Sequence, residues 1–345
     1  MSRLDIQTVL GRAVANGASD VHVVAGIPVK YRIAGELRSL DDDVMSPDDT
    51  AALCFAMLSE EQRADFRENR DIDLIQTIDK HRFRINLSFS NNQVGAVVRV
   101  LNYAPMPLET LHLPPIVRDI CLRDKGLFLI TGTTSQGKTT TLSAMVDYIN
   151  RHRSRHVVSI EDPIEYIHEN KQSIIRQREV GRDTDNFETG LKAALRQDPD
   201  VIVIGEMRDY ESIKIALTAA ETGSLVLSTL HTMSIDKIIE RLFSYVPGDQ
   251  EAQIRMMLAE VLLGAIHQEL LPTLDGGKRV AAEVLVATNA VRSTLRRRET
   301  FYLKNYIQTG GKQYGMRTMR QSLDELREAG EISDDIHDSV LLNYT

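Results

Sequence analysis

Gly132-Thr133-Thr134-Ser135-Gln136-Gly137-Lys138-Thr139 fits the pattern GxxxxGK[ST], directly after the strand-like run LFLI and before the helical stretch TTLSAMVDYIN. Strand, glycine-rich turn and helix in that order make a phosphate cradle. Loop amides and the helix N-terminus face phosphate oxygens, Lys138 neutralises β and γ charge, and the Thr139 hydroxyl can ligate Mg2+. The contacts expected for a nucleotide are Gly132, Thr133, Thr134, Ser135, Gln136, Gly137, Lys138, Thr139 and Thr140.

Three more apolar runs end in groups that could serve such a ligand. DVIVIGE ends in Glu206, placed to orient metal or water beside a nucleotide. HVVSIEDPIE ends in Glu161, Asp162 and Glu165, where one acid can orient the attacking water while another holds Mg2+ through its waters. SLVLSTLHT offers His231 with Thr229 and Thr232, where a γ-phosphate could be sensed by hydrogen bonding. Singly, each has a plainer reading: a solvated loop acid, acids favoured at a helix start, a structural histidine. Their recurrence at strand ends makes one shared site the better reading, with Glu161, Glu206, His231 and Lys138 as catalytic candidates and Thr139 and Glu206 as the Mg2+ pair.

The elements that must position these groups fall into two parts. Residues 4–16 have helical spacing up to Gly17, and SDVHVVAGIPVKYRIAGELRSL alternates like short antiparallel strands. A helical stretch covers about 47–68. DIDLIQTI, HRFRINLSFS and QVGAVVRVLNY read as strands, with turns at Asp79-Lys80 and Asn91-Asn92. Residues 1–103 thus form a small α+β domain. Pro105, Pro107, Pro114 and Pro115 mark 104–115 as a stiff linker. Residues 116–345 form an α/β domain whose compact apolar strands suit a mostly parallel sheet buried on both faces.

The 345 residues are 42% hydrophobic and 26% charged, which is ordinary globular composition. Cys54 and Cys121 lie far apart, so no disulfide framework or thiolate zinc site follows. The opening residues lack the apolar core of a signal peptide, and no run approaches the ~20 apolar residues of a membrane helix. A cytoplasmic protein with only peripheral membrane association is expected. The net charge of -8 argues against a partner made of nucleic acid.

The GTTSQGKT, IEDPIE, GEMRD and STLHT segments resemble the Walker A, Asp box, Walker B and His box of secretion-superfamily ATPases, nearest the PilT-like branch. GASDVHV, RFRIN, RQREVG and IQTGGKQYGMRTMRQSLDELREAGEI extend the resemblance over nearly the whole chain. It implies a RecA-like P-loop domain, a smaller PAS-like N-terminal domain, a homo-hexameric ring, and ATP and Mg2+ as ligands. It also implies phosphate-directed arginines at Arg82, Arg84 and Arg99, Glu161 as the favoured water activator, and His231 as relay of nucleotide state. The expected role is a motor for type IV pilus retraction acting on an inner-membrane platform protein. The alternatives are a DotB-like ATPase of type IVB secretion or conjugation, acting on a secretion-core protein, and a regulatory nucleotide-binding subunit with little hydrolysis. NAVRSTLRRRE occupies the place of a segment associated with retraction, and reads equally as a partner surface or as a solvated basic helix end. Where the family has GPTGSGKST, this chain has Thr133, Ser135 and Gln136 in place of proline, glycine and serine. ATP binding is expected to persist, with slower hydrolysis or a reshaped loop, because the Ser135 Cβ restricts a backbone angle that glycine leaves free.

Overall fold

The computed structural model describes residues 5–33, 35–79, 81–101 and 104–344. Leu4 of the expected first helix, Lys80 of an expected turn and Tyr103 at the expected domain boundary lie outside them. The chain divides into two compact units, one up to Ala104 and one from Pro105 onward.

In the first unit, Asp5 caps α1 (Ile6–Ala15) by accepting from the Thr8 amide, and β1 (Ala18–Val23), β2 (Pro28–Ile33) and β3 (Glu36–Val44) follow. The 47–68 stretch is two helices, α2 (Pro47–Ala56) and α3 (Glu60–Asn69), because Ser59 and Gln62 form a reciprocal capping box that starts a new helix. β4 (Asp71–Ile78), β5 (His81–Ser90) and β6 (Gln93–Leu101) complete a six-stranded sheet in the order β3-β2-β1-β6-β5-β4. Val21, Tyr31, Phe83, Ile85 and Val98 pack with Val9, Leu10 and Phe66 from the helices. Asp20, Arg84 and Arg99 alternate with them.

The second unit begins with the proline-rich stretch, which is not extended throughout. Leu108–Leu111 forms a 3-10 turn, and Leu108 is buried in this unit's core. Then come α4 (Pro115–Cys121), β7 (Gly126–Thr131), α5 (Lys138–His152), β8 (His156–Glu161), β9 (Ile174–Glu179) and α6 (Phe187–Ala194). They are followed by β10 (Val201–Ile204), α7 (Tyr210–Thr222), β11 (Leu225–Leu230), α8 (Ile235–Phe243), α9 (Glu251–Val261), β12 (Leu262–Pro272) and β13 (Lys278–Val286). The last helices are α10 (Asn289–Arg297), α11 (Leu303–Thr309), α12 (Gly311–Tyr314), α13 (Met319–Glu328) and α14 (Asp334–Leu341).

The seven-stranded sheet runs β13-β12-β7-β11-β10-β8-β9, parallel except for β13. Both faces are apolar, as the continuous runs required. Leu127 and Leu129 of β7 join Ile160, Ile204 and Val226 and the helices α7 to α9. Phe128 and Ile130 point the other way, into a core with Ile120, Met145 and Ile149 of α4 and α5. Parallel packing sends the C-terminal ends of β7, β8, β10 and β11 to one rim of the sheet.

A polar seam joins α5 to the segment between β8 and β9. Thr140 Oγ1 lies 2.8 Å from the Tyr166 hydroxyl, and Ser143 Oγ lies 3.2 Å from His168 Nε2. Asp147 accepts from Lys171 Nζ at 2.6 Å. Asn150 donates to the Glu169 carbonyl at 2.7 Å and accepts from the Lys171 and Ser173 amides at 3.0 and 3.3 Å. The spacing of 140, 143, 147 and 150 keeps all four on one helical face. Because Asn150 is only 1% exposed, Asn150→Ala should cost about 2–3 kcal/mol through the backbone groups it leaves unpaired. Urea unfolding checks this against Asn69→Ala, whose side chain bonds to the exposed Asp65; equal costs for the two would refute the seam's energetic role.

Two histidines of this unit are buried deeply enough to couple folding to pH. Burial depresses His168 and His267 from 6.5 to about 4. The unfolded chain therefore binds protons below about pH 6.5 that the folded chain refuses, so stability is complete above that value and is lost as pH falls towards 4. Glu283, raised by burial, opposes this. Unfolding free energies from urea titrations at about pH 7 and pH 5 should differ by on the order of 2–4 kcal/mol, and replacing His168 with Gln should remove roughly half of the difference. An unchanged free energy would contradict the assignment.

Candidate active site

The loop after β7 is held open by its glycines and anchored by a glutamine. Gly132 sits at φ 153°, where an added Cβ would come within 2.7 Å of the Gln268 carbonyl. Gly137, at φ 77°, precedes α5 and gives it no side-chain cap, so the first-turn amides are available to phosphate oxygens. Ser135 itself takes a left-handed φ of 67°, a conformation that costs a residue with a Cβ about 1 kcal/mol or more. Its Cβ thus strains the loop without excluding that angle. Thr134 and Ser135 are exposed, and Thr133 is half-buried.

β7 pairs with β12 only as far as Thr131 opposite His267. Beyond that point Gln136 takes over the edge. Its carbonyl accepts from Gln268 Nε2 at 2.6 Å, its Oε1 accepts from the Leu270 amide, and Gln268 Oε1 in turn accepts from Thr141 at 3.0 Å. The residue that departs from the family's serine is therefore the one that ties the loop to the neighbouring strand.

Lys138 is 7% exposed. Its Nζ donates to the Thr133 carbonyl at 2.7 Å and lies 3.2 Å from His231 Nδ1. His231 Nε2 lies 3.2 Å from Glu206 Oε2, and Arg208 grips that same oxygen at 2.8 and 2.9 Å. An ammonium can only donate, so His231 Nδ1 accepts and Nε2 carries the proton toward Glu206. Burial and the Lys138 charge hold the His231 pKa below its usual value against the pull of Glu206, which favours this neutral tautomer. Burial also lowers the Lys138 pKa, opposed by Glu206 and Glu165. Thr229 gives its hydroxyl to the Gly205 carbonyl, whereas the buried Thr232 Oγ1 has no hydrogen-bond partner among the described residues.

Glu161 closes β8 on the other side of the rim. Its Oε1 accepts from Ser159 Oγ at 2.7 Å and from Gln177 Nε2 at 3.1 Å. Gln177 also donates to the Tyr166 carbonyl and accepts from the His168 amide, so it fixes Glu161 and the α5 seam together. Thr139 and Glu161 line one small cavity with Ser143, Ser159 and His168. The structure thus brings Lys138, His231 and Glu206 into one chain of contacts and has Thr139 and Glu161 line one cavity.

Arg82, Arg84 and Arg99 belong to the first unit. Arg84 stands opposite Arg99 in the β5–β6 register. Each has a carboxylate partner, Asp73 at 3.7 Å and Asp20 at 2.9 Å, while Arg82 is buried. In α10, Val291 and Leu295 are buried, Arg292 donates to the Ala259, Glu260 and Ala287 carbonyls, and Arg296, Arg297 and Arg298 are exposed. Sequence reasoning missed Arg208, Gln177 and Gln268. Arg208 was signalled by its position two residues after Glu206, and Gln268 by its polarity inside LLGAIHQELL.

The model of the family described as "Type II/IV secretion system protein" matches residues 2–327. The chain is 40% identical over 331 residues to the type IV pilus retraction ATPase PilT of Pseudomonas aeruginosa, covering 96% of each chain. It superposes on a crystal structure of the pilus retraction motor PilT with bound ADP at a TM-score of 0.90 and 38% identity, covering 98% of this chain and 97% of that one. A Legionella pneumophila DotB ATPase structure matches at a TM-score of 0.87 and 25% identity, covering 99% and 97%. The parallel-sheet unit is RecA-like, with a smaller α+β unit before it in the chain. With its phosphate loop, the acids and histidine at its strand ends and this likeness running through both units, the chain belongs to the type II/IV secretion system protein family, as a PilT-like P-loop ATPase.

Proposed function

We propose that this protein hydrolyses ATP as a hexameric motor that powers type IV pilus retraction. The observation that carries the reading is the contact chain Thr133–Lys138–His231–Glu206–Arg208 at the mouth of the phosphate loop. Bound β- and γ-phosphates take over Lys138 as a counter-ion, and the loop and α5 amides wrap their oxygens. His231, having lost its lysine partner, meets a phosphate oxygen only by carrying a proton on Nδ1, so its protonation reports whether the γ-phosphate is present. Glu161 orients and deprotonates the attacking water, held in place by Ser159 and Gln177. Thr139 with Glu206 would supply hard oxygen donors to hold Mg2+, partly through water, and the ion would neutralise phosphate charge. Arg84 and Arg99 are further cationic partners for phosphate, for which they would have to leave Asp73 and Asp20.

The motor reading implies a client at the membrane, an inner-membrane platform protein, reached from the cytoplasm. Among the described residues no helix is long and apolar enough to cross a membrane. A DotB-like secretion client is the second reading, supported by a likeness of lower identity. Deleting the gene in its native host separates the two: excess pili with lost twitching supports retraction, and lost effector export supports secretion.

The site assignment is checked by steady-state ATP turnover of the purified full-length protein. Glu161→Gln and Glu206→Gln should each lower kcat by about 10²-fold or more with nucleotide binding retained. Lys138→Ala should abolish turnover by weakening binding itself. Parent-like turnover in all three variants would remove the assignment.

A further inference from the structure

Behind the phosphate loop, hydrogen bonds run from its base to the last turn of the structure. Thr131, the fully buried final residue of β7, is followed directly by Gly132 of the loop. Its hydroxyl lies 3.2 Å from His267 Nδ1 and 3.3 Å from the Ile266 carbonyl. His267 Nε2 lies 2.7 Å from the Tyr344 hydroxyl, which lies 2.8 Å from Glu269 Oε1.

Counting protons gives this chain a direction. An ionised carboxylate only accepts, so the single Tyr344 proton goes to Glu269 and the phenolic oxygen accepts from His267 Nε2–H. His267, with no solvent exposure, is then left with a lone pair on Nδ1, which shares the Thr131 hydroxyl proton with the Ile266 carbonyl. Several charged groups surround the ring. Glu269 lies 3.9 Å away on the same strand, and Glu283 is the cross-strand partner on β13. Asp236 at the start of α8 favours ring protonation, and Lys138 on α5 opposes it.

We propose that Tyr344 is a positioning residue for the phosphate loop, fixing the tautomer and charge of His267 and, through His267, the hydroxyl of Thr131 at the loop's base. This rests on the reading of that loop as the ATP cradle. Tyr344 sits between His267 and a carboxylate that would otherwise take the imidazole proton directly. Without the phenol, Glu269 draws a second proton onto the ring. An imidazolium donates from both nitrogens, so Nδ1 stops accepting from Thr131 and a positive charge arises beneath Lys138.

The test compares full-length parent and Tyr344→Phe protein, which keeps the ring and loses only the hydroxyl. Two measurements are made between about pH 8 and about pH 6: steady-state ATPase activity, and 15N spectra of histidine-labelled protein with the His267 signal identified by its loss in His267→Gln. Parent His267 should remain the neutral Nε2–H tautomer throughout, whereas in Tyr344→Phe it should titrate. The variant-to-parent ratio of kcat should fall by about threefold or more towards the acid end, with KM for ATP within about twofold. Adding Glu269→Gln to Tyr344→Phe should return His267 to the neutral form and flatten the ratio. A His267 signal that does not titrate in Tyr344→Phe, or a flat kcat ratio in that variant, overturns the proposal. If the parent shows no ATPase activity the motor reading fails by itself, and the nitrogen spectra still decide the role of Tyr344.

Discussion

A lysine ammonium that is 7% exposed must keep partners around it or lose its charge, and the active-site rim is arranged by that constraint. Thr133 turns its carbonyl inward to one proton, and His231 presents an unprotonated nitrogen to another. Its far nitrogen then meets Glu206, and Arg208 balances Glu206 from outside. Strand order makes this possible. β11 lies between β7 and β10, so the histidine following β11 falls between the lysine following β7 and the acid following β10. An order with β10 directly beside β7 would set the acid-bearing strand end next to the phosphate loop with no histidine between them.

Much of this was legible in the sequence because the signals are local. LFLITG, HVVSIED, DVIVIGE and SLVLSTLH each carry a mainly apolar run that a polar group ends, as strands buried on both faces must. The parts that were not legible depend on distant partners. Gln136 and Gln268 lie 132 residues apart, and nothing in either neighbourhood indicates that one completes the edge of the strand carrying the other. β9 was seen only as the motif RQREVG, since four consecutive polar residues, Arg176 to Glu179, replace the apolar run that marks the inner strands. The prolines at 105, 107, 114 and 115 suggested an extended connector, yet Leu108 between them is an ordinary core residue. The 47–68 stretch was read as one helix because a capping box at Ser59 interrupts it without any glycine or proline.

The loop's unusual interior combines opposed effects. Ser135 adopts a left-handed angle that disfavours it, while Gln136 adds a side-chain hydrogen bond to the β12 edge that a serine is too short to reach. Each is of order 1 kcal/mol, so the two roughly offset one another. The loop keeps its course through a local strain and a distant anchor, where a glycine would need neither.

The seam along α5 has a mechanical consequence. The helix is roughly 22 Å long, and it is riveted to the neighbouring segment at Thr140, Ser143, Asp147 and Asn150. A helix fastened at every turn behaves as a beam and not as a spring. Its first turn, which the proposed reading sets against phosphate, and its last turn, beside which Arg151 grips Glu109 and Arg153 grips Asp124, thus belong to one stiff element. Glu109 lies five residues past Ala104, where the first unit of the chain ends, so the beam's far end bears on the stretch through which the chain enters its motor domain.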